Sequence, residues 1–131
     1  MKKNILIVDD SASWRKFHAA SINTIGPNTY NCTIAGSAQE GLEIALQHKK
    51  APFDMIITDL QMEPDFEPDL AGEWFVKQIK TIKEYDNTKI IIVSAMFNIE
   101  TIAKQLDVNY LRKSTLAANI LPLKLKLEEL N

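Results

Sequence analysis

Three aspartates stand where two apolar stretches of the chain end, and carboxylates in such places can bind a metal ion. Asp9 and Asp10 directly follow the run Asn4–Val8, and Asp59 directly follows Phe53–Thr58. Two carboxylates about 4 Å apart repel by roughly 1 kcal/mol in water and about 4 kcal/mol at an effective dielectric constant of 20. Such a cluster needs a cation, and hard carboxylate oxygens without thiolate or imidazole partners favour Mg²⁺. Because Mg²⁺ usually keeps waters and a phosphate among its ligands, these residues indicate phosphoryl chemistry.

A hydroxyl and an ammonium group follow two further apolar stretches and complete a candidate phosphate site. Ser94 ends the run Lys89–Ser94, and Lys113 directly follows Asn109–Arg112. Both groups can bind phosphate oxygens, the ammonium through charge-assisted hydrogen bonds. Taken singly, each residue has an ordinary explanation, because an aspartate after a strand is often a turn former or a helix cap. Five such residues at the carboxyl ends of four predicted strands are better explained by one shared site.

The chain alternates between predicted strands and predicted helices. The helical segments carry start and stop signals. A capping box at Ser37 and Glu40 predicts the start of the second helix, the pair Gly26–Pro27 predicts the end of the first, and Gly72 is predicted to precede the third. Runs such as Ile90–Val93 are apolar throughout, which is typical of a parallel strand covered on both faces. The predicted strands are Asn4–Val8, Tyr30–Ala35, Phe53–Thr58, Lys89–Ser94 and Asn109–Arg112.

The predicted fold is α/β, a doubly wound, five-stranded parallel sheet of order 2-1-3-4-5 with helices on both faces, the flavodoxin-like architecture. Ligands bind to open sheets of this kind outside the carboxyl ends of the strands, at the point where the strand order reverses. That point lies between the first and third strands. Asp9, Asp10 and Asp59 are therefore predicted to line one crevice.

Composition and charge exclude several classes of protein. The 131 residues carry 15 Lys and Arg against 17 Asp and Glu, a formal charge of -2, which argues against direct binding of nucleic acid. The apolar run Ile5–Val8 is too short for a membrane span or a secretory signal, so we expect a cytoplasmic protein without membrane contact. Cys32 is the single cysteine, which excludes an internal disulfide. His18 and His48 are predicted to be surface or half-buried residues away from the acidic crevice.

Four segments around the candidate site residues carry the pattern of a known family. They are Ile5–Ser11, Asp54–Met62, Ile91–Ala95 and Tyr110–Lys113. Together they resemble the receiver domain of two-component response regulators, and the resemblance covers residues 1–131 as one receiver domain with no output domain visible. It implies a signalling protein that phosphorylates and dephosphorylates itself but is not an enzyme with a turnover substrate.

The resemblance also implies a role for each site residue. Asp59 would accept a phosphoryl group from a phosphohistidine on a histidine kinase or a histidine phosphotransfer protein. Mg²⁺ would be held by Asp10, Asp59 and the backbone carbonyl of Gln61, with Asp9 acting directly or through water. Ser94 and Lys113 would bind the phosphoryl oxygens. Ser94 and Tyr110 would form the switch that responds to phosphorylation.

Two other functions fit parts of the sequence. A Mg²⁺-dependent phosphohydrolase with an aspartate nucleophile is one, but enzymes of the haloacid dehalogenase type have Asp-x-Asp where this chain has the adjacent Asp9 and Asp10, and their cap domain scarcely fits in 131 residues. A pseudo-receiver that works without phosphorylation is the other. Proteins of that kind lose the acidic pair, the acceptor or the lysine, whereas all are present here.

The chain departs from the family pattern in three places. Ser114 stands where proline usually follows the lysine, and the stretch Met62–Gly72 is longer than usual. Within that stretch, Glu63–Asp69 holds four acids and two prolines, which excludes a helix or a central strand there. The segment between Ser94 and Lys113 is short, which predicts an abbreviated fourth helix.

The last predicted helix has two apolar sides. One stripe can cover the sheet, and Ala118, Leu121 and Leu125 point the opposite way, where they predict a surface for a homodimer or an output partner. A mildly apolar solvent face explains these three residues equally well. Pro122 should kink this helix or open a new turn. The stripe consists of Leu116, Ile120, Leu123, Leu127 and Leu130.

Overall fold

The computed structural model describes residues 2–62 and 70–131. The loop predicted at Glu63–Asp69 lies outside these described residues. Within the described ranges, no helix combines the length and the apolar character that crossing a bilayer requires.

Within the described residues, five strands alternate with helices, of which there are six because two helices follow the last strand. The strands are β1 Lys3–Val8, β2 Tyr30–Ala35, β3 Met55–Thr58, β4 Lys89–Ser94 and β5 Asn109–Arg112. The helices are α1 Ala12–Ile25, α2 Ala38–Gln47, α3 Ala71–Lys80, α4 Ile99–Leu106, α5 Lys113–Ala118 and α6 Leu121–Leu130, with a 3-10 turn at Lys83–Tyr85. The fourth helix has eight residues, which agrees with the predicted abbreviation.

The strands form one parallel sheet of order β2-β1-β3-β4-β5, which confirms the predicted fold. Side chains of one strand alternate between its two faces. Leu6 and Val8 accordingly belong to a core under α2, α3 and α4, whereas Ile5 and Ile7 belong to a core under α1, α5 and α6. Burying one such side chain contributes about 1.5 to 3 kcal/mol, which explains why both faces of the central strands are apolar.

Local capping fixes where α1 and α2 begin. The Ser37 hydroxyl accepts a hydrogen bond from the Glu40 amide at 3.1 Å, and the Glu40 carboxylate accepts one from the Gly36 amide at 2.6 Å. The predicted capping box is thus present, except that the Glu40 carboxylate accepts from the amide of Gly36 and not from that of the capping residue Ser37. Ser11 caps α1 in the same way, accepting from the Trp14 amide at 3.3 Å.

Gly72 has a different role from the predicted one. It is the second residue of α3, not a residue that precedes the helix. Its amide donates to the Leu60 carbonyl at 2.8 Å, and a Cβ atom at this position would overlap the carbonyl oxygen of Asp59. The absence of a side chain therefore lets α3 begin directly against the backbone that follows β3.

The predicted last helix is two helices, α5 and α6. Pro122 lies in the first turn of α6, where its missing amide costs nothing, so it opens a new helix as one of the two predicted outcomes. The Asn119 side chain accepts from the Leu121 amide at 2.9 Å and caps this turn. On the predicted stripe, Leu116, Leu123 and Leu127 are buried, and Ile120 and Leu130 are half-buried.

His18 is buried, so the prediction of a surface or half-buried residue was wrong. It lies four residues after Trp14 and four before Ile22, on the side of α1 that packs inward. The spacing in the sequence indicates an inward-facing position for His18. The prediction of a surface residue followed the polarity of histidine instead. His48 is exposed, in agreement with the prediction.

Candidate functional site

The ends of β1 and β3 bring two carboxylates side by side. Strand pairing continues one residue past each strand: the Asp9 amide donates to Ala35 at 3.1 Å, and the Asp59 amide donates to Val8 at 3.0 Å. Asp9 and Asp59 are buried, whereas Asp10 is exposed. One carboxylate oxygen from each of these three residues lies within 4.8 Å of the other two. The structure thus brings together the acidic cluster that the sequence predicted.

Backbone amides hold the two buried carboxylates in place. Asp9 Oδ1 accepts from the Ser11 amide at 2.9 Å, and Asp59 Oδ1 accepts from the Leu60 amide at 2.7 Å. The guanidinium of Arg15 donates to the Asp9 carbonyl at 2.8 Å, a contact that the sequence analysis did not anticipate. These bonds turn the Oδ2 atom of each carboxylate to other partners.

Lys113 lies between the two buried carboxylates. Its Nζ atom is 2.8 Å from Asp59 Oδ2 and 3.0 Å from Asp9 Oδ2, and its side chain is 12% exposed. Burial by itself would lower the pKa of Lys113, but the two carboxylates outweigh it and hold that pKa above its ordinary value. Burial raises the pKa of Asp9, against the opposing effects of Ser11 and Lys113. The lysine is charged and compensates part of the acidic cluster.

Ser94 and Gln61 complete the rim of the site. Ser94 is buried at the end of β4, and its hydroxyl accepts from the Met96 amide at 3.3 Å. The amide of Gln61 lies 3.4 Å from Asp59 Oδ1. A cavity of about 340 Å³ opens above these groups. It is lined by Asp10, Asp59, Gln61, Met62, Ser94, Ala95 and Lys113.

A larger cavity, of about 480 Å³, lies at the opposite edge of the sheet between Lys3, Pro52 and Thr88. The three-carboxylate cluster is not there, so size alone does not identify the site. The smaller cavity at the carboxyl ends of the strands is the one that combines carboxylates, a hydroxyl and an ammonium group. This is the edge where ligands bind to doubly wound sheets.

The donor set of this cavity fits a hard divalent cation. All candidate ligands are oxygen atoms, as Mg²⁺ prefers. Asp9 Oδ2 is buried and, among residues 2–62 and 70–131, receives no aligned hydrogen bond, although the ammonium of Lys113 lies close to it. A buried carboxylate oxygen in this situation is expected to have a further electrostatic partner. The acidic cluster is compatible with Mg²⁺ binding.

Tyr110 lies outside the cavity but on the same side of the sheet as Ser94. In the β4 and β5 register, Tyr110 is opposite Ile92 and Arg112 is opposite Ser94. Side chains two residues apart on a strand share a face, so Ser94 and Tyr110 both lie on the face of the sheet that α4 covers. Tyr110 is half-buried there, packed against the core formed with α2, α3 and α4.

His18 is closer to the site than the sequence indicated. Its ring is 5.5 Å from the ring of Trp14, whose centroid in turn lies 4.8 Å from Lys113 Nζ. Burial, with a smaller contribution from the charge of Lys113, lowers the pKa of His18 to about 4. Its Nδ1 atom is buried without a hydrogen bond to any residue that the structure describes. His18 is therefore neutral near pH 7.

This burial predicts a specific pH dependence of stability. The unfolded chain takes up a proton on His18 near pH 6.5, but the folded chain does so only near pH 4. The contribution of neutral His18 to the free energy of unfolding is thus complete above pH 6.5 and is lost as the pH falls to 4, by about 3 kcal/mol. We expect His18→Phe to reduce the loss of stability over this range by about that amount in denaturant titrations.

The exposed histidine supplies the control. His48→Phe removes an exposed histidine at the end of α2 and shows whether a change in the pH profile of unfolding is specific to position 18. Parallel profiles for wild type and His18→Phe would contradict the assignment of a buried neutral imidazole at position 18.

Comparison with known proteins places this geometry in a family. A model of the response regulator receiver domain matches residues 5–120. The chemotaxis response regulator CheY4 of Vibrio cholerae is 28% identical, with a TM-score of 0.68 over 86% of this chain and 88% of that one. A CheY-like receiver domain from Methylobacillus flagellatus is 20% identical over 100% of both chains, with a TM-score of 0.77, and supports the fold.

One relative is a much longer protein. A gliding motility regulatory protein of Myxococcus xanthus is 28% identical over 120 residues, which is 89% of this chain and 14% of that protein. The chain therefore corresponds to a small part of that relative's length.

Proposed function

The chain belongs to the response regulator receiver domain family of two-component signalling, and from that membership we propose that it accepts a phosphoryl group on Asp59. The donor is a phosphohistidine on a histidine kinase or a histidine phosphotransfer protein. The observation that carries this proposal is the contact of 2.8 Å between Asp59 Oδ2 and Lys113 Nζ at the rim of the cavity. It gives the acceptor carboxylate a cation that can also bind the incoming phosphoryl oxygens. Receiver domains are signalling modules, and residues 1–131 would act as one such module.

The proposed transfer exchanges one bond to phosphorus for another. An oxygen of the Asp59 carboxylate attacks phosphorus while the bond between phosphorus and the donor's ring nitrogen breaks. The electron pair of that bond stays on the nitrogen, which then takes up a proton. Asp59 becomes an acyl phosphate, and attack of water on phosphorus later returns it to the carboxylate. Lys113 and the Ser94 hydroxyl bind the phosphoryl oxygens, and preorganised donors of this kind stabilise the charge that develops during transfer.

Mg²⁺ would be held by Asp10, Asp59 and the backbone carbonyl of Gln61, with Asp9 acting directly or through a water. When bound there, the metal would neutralise the carboxylates and the charge on the phosphoryl oxygens. Asp10 suits this role because it is the exposed member of the cluster and lines the cavity. Buried Asp9, fixed through Ser11 and Arg15, suits a supporting one.

Asp10→Ala tests the metal site. We expect weaker Mg²⁺ binding in calorimetry together with an unchanged or higher melting temperature without metal, because one of three crowded carboxylates is removed. Glu43→Ala is a matched control, since Glu43 is an exposed acid on α2. A clear fall in the metal-free melting temperature of Asp10→Ala would show instead that Asp10 mainly caps local structure.

We propose that phosphorylation is read out through Ser94, Tyr110 and the last helix. The Ser94 hydroxyl accepts from the Met96 amide, and it can donate its own proton to a phosphoryl oxygen; turning towards that oxygen would alter the loop that leads into α4. Tyr110 lies on the same face of the sheet and, like Met96 of that loop, packs against the core formed with α2, α3 and α4. On α6, Leu121 and Leu125 are 49% and 56% exposed and lie one turn apart. They offer an apolar surface for a second copy of the chain or for an output partner.

Leu121→Asp combined with Leu125→Asp tests this surface. Because both side chains are exposed, we expect a melting temperature close to that of the wild type and intact phosphorylation of Asp59. Phosphorylation-dependent association, measured by sedimentation with and without a phosphodonor, should be lost. Unfolding of the double variant would show that these leucines belong to the core.

The donor is tested by direct transfer. A histidine kinase or phosphotransfer protein carrying radiolabelled phosphohistidine is mixed with the chain and Mg²⁺, and label should move to the chain and disappear with alkali. A chelator should stop the transfer. Failure to take label from any phosphohistidine or from a small acyl phosphate would contradict the proposed function.

A further inference from the structure

Trp14 contacts the ammonium group of the site lysine. The residue is in the first turn of α1, and the centroid of its ring lies 4.8 Å from Lys113 Nζ. An ammonium over the face of an indole is attracted by the negative potential of the ring, and tryptophan is the strongest partner for such a contact. Among the residues that the structure describes, the ammonium therefore has three partners: the carboxylates of Asp59 and Asp9, and the face of Trp14.

The ring of Trp14 is itself held in place. Phe17 packs against it edge to face at 5.1 Å between centroids, and the buried ring of His18 lies 5.5 Å away. The amide of Trp14 donates to the capping hydroxyl of Ser11, two residues beyond Asp9. The indole is thus held beside Lys113, outside the lining of the cavity, by the same turn that positions the acidic pair.

A fixed aromatic face matters because lysine is long and flexible. Asp59 and Asp9 attract the ammonium as long as their carboxylates carry uncompensated charge. Phosphorylation of Asp59 removes the charge of that carboxylate and places negative charge on the phosphoryl oxygens, so the ammonium has to move, and a cation bound to the acidic cluster weakens the attraction of the carboxylates. The attraction to the indole face does not depend on the charge state of the cluster.

We propose that Trp14 is a positioning residue for Lys113, whose ring face keeps the ammonium at the cavity while it exchanges the Asp59 carboxylate for phosphoryl oxygens. This inference rests on the proposed function, since the exchange takes place only if Asp59 is phosphorylated. Trp14 touches neither the acceptor nor the phosphoryl group and acts through Lys113. Core packing alone would give Trp14 a different signature, because packing depends on shape and not on the electron density of the ring.

Fluorinated tryptophan separates these two roles. The chain has two tryptophans, so Trp74→Phe leaves Trp14 as the single site of incorporation. Monofluorinated and difluorinated tryptophan keep the shape of the ring but withdraw electron density from its face. We expect the rate of phosphorylation by a small acyl phosphate to fall stepwise along this series, by about fivefold in total, the size that a partly desolvated cation–π contact supports.

Substitutions extend the series. Trp14→Phe should keep part of the rate, and Trp14→Leu should lose about tenfold, with both variants folded by circular dichroism. The matched control places the same fluorinated residues at position 74 in a Trp14→Phe background, where the rate should not change. A flat rate across the series at position 14, or equal rates for Trp14→Phe and Trp14→Leu, would overturn the inference.

A second measurement does not depend on phosphorylation. In the wild type, the side-chain methylene signals of Lys113, assigned by their loss in Lys113→Arg, should be shifted upfield by the ring current of Trp14 and should return to ordinary positions in Trp14→Leu. Shifted signals in a protein that takes no phosphoryl group would contradict the proposed function and leave the contact established. Unshifted lysine signals in a protein that is phosphorylated normally would refute the role of Trp14 alone.

Discussion

Asp59→Asn abolishes phosphoryl incorporation. In the wild type, incubation with a small acyl phosphate and Mg²⁺ should add one phosphoryl group that is released by alkali and by hydroxylamine, as an acyl phosphate requires. The asparagine variant keeps the shape and the Leu60 amide contact at this position but lacks the nucleophilic carboxylate oxygen that faces Lys113. Intact mass and release by hydroxylamine measure the result.

Two controls make this result specific to position 59. Asp86→Asn changes an exposed carboxylate after the 3-10 turn and should incorporate phosphate like the wild type. Removal of metal from the wild type with a chelator should also stop incorporation, because the phosphoryl charge would then face Asp9 and Asp10 with Lys113 as the remaining compensating charge among the described site residues. Unchanged incorporation in Asp59→Asn would assign the acceptor to another residue.

Lys113→Met slows phosphorylation and strengthens metal binding. The variant keeps most of the side-chain volume but removes the ammonium that lies 2.8 Å from Asp59 Oδ2 and 3.0 Å from Asp9 Oδ2. Loss of one preorganised donor to the developing charge should lower the rate by about a hundredfold. Since the ammonium competes with a cation for the same carboxylates, Mg²⁺ should bind more tightly to the variant, and calorimetry can measure the gain.

An exposed lysine again gives the comparison. Lys16→Met removes a positive charge from the solvent side of α1 and should change neither the rate nor the metal affinity appreciably. Weaker Mg²⁺ binding to Lys113→Met would show that the lysine supports the metal site and does not compete with it. A rate near that of the wild type would remove Lys113 from the transfer chemistry.

The acidic cluster shows how far sequence reasoning extends. Asp9, Asp10 and Asp59 were expected together because parallel strands present their carboxyl ends at one edge, and this depends on topology more than on packing detail. The sequence did not show which of the adjacent pair would be buried. The backbone pairing of β1 with β2 continues through Asp9, and the Asp9 side chain is buried under the site. Asp10 is the next residue along the chain and is exposed.

Helix boundaries were predictable where a local signal decides them. Ser37 and Glu40 cap α2 through contacts within four residues. Pro122 starts α6 because its ring fixes φ near the helical value and leaves it without an amide hydrogen. The role of Gly72, in contrast, could be seen only in the tertiary structure. Its lack of a side chain is required by the backbone after β3, a contact between residues far apart in sequence that no capping rule contains.

The sequence by itself determined the parallel sheet, the edge that carries the site and the types of group that meet there, because strand periodicity and strand-end residues are local properties that fix a topology with few alternatives. Tertiary structure alone decided that Lys113 bridges Asp9 and Asp59, that His18 is buried and neutral, and that Trp14 faces the ammonium. These contacts join α1, β1, β3 and the start of α5. Their distances follow from how whole layers pack, which depends on the volumes of many side chains at once and not on any one segment.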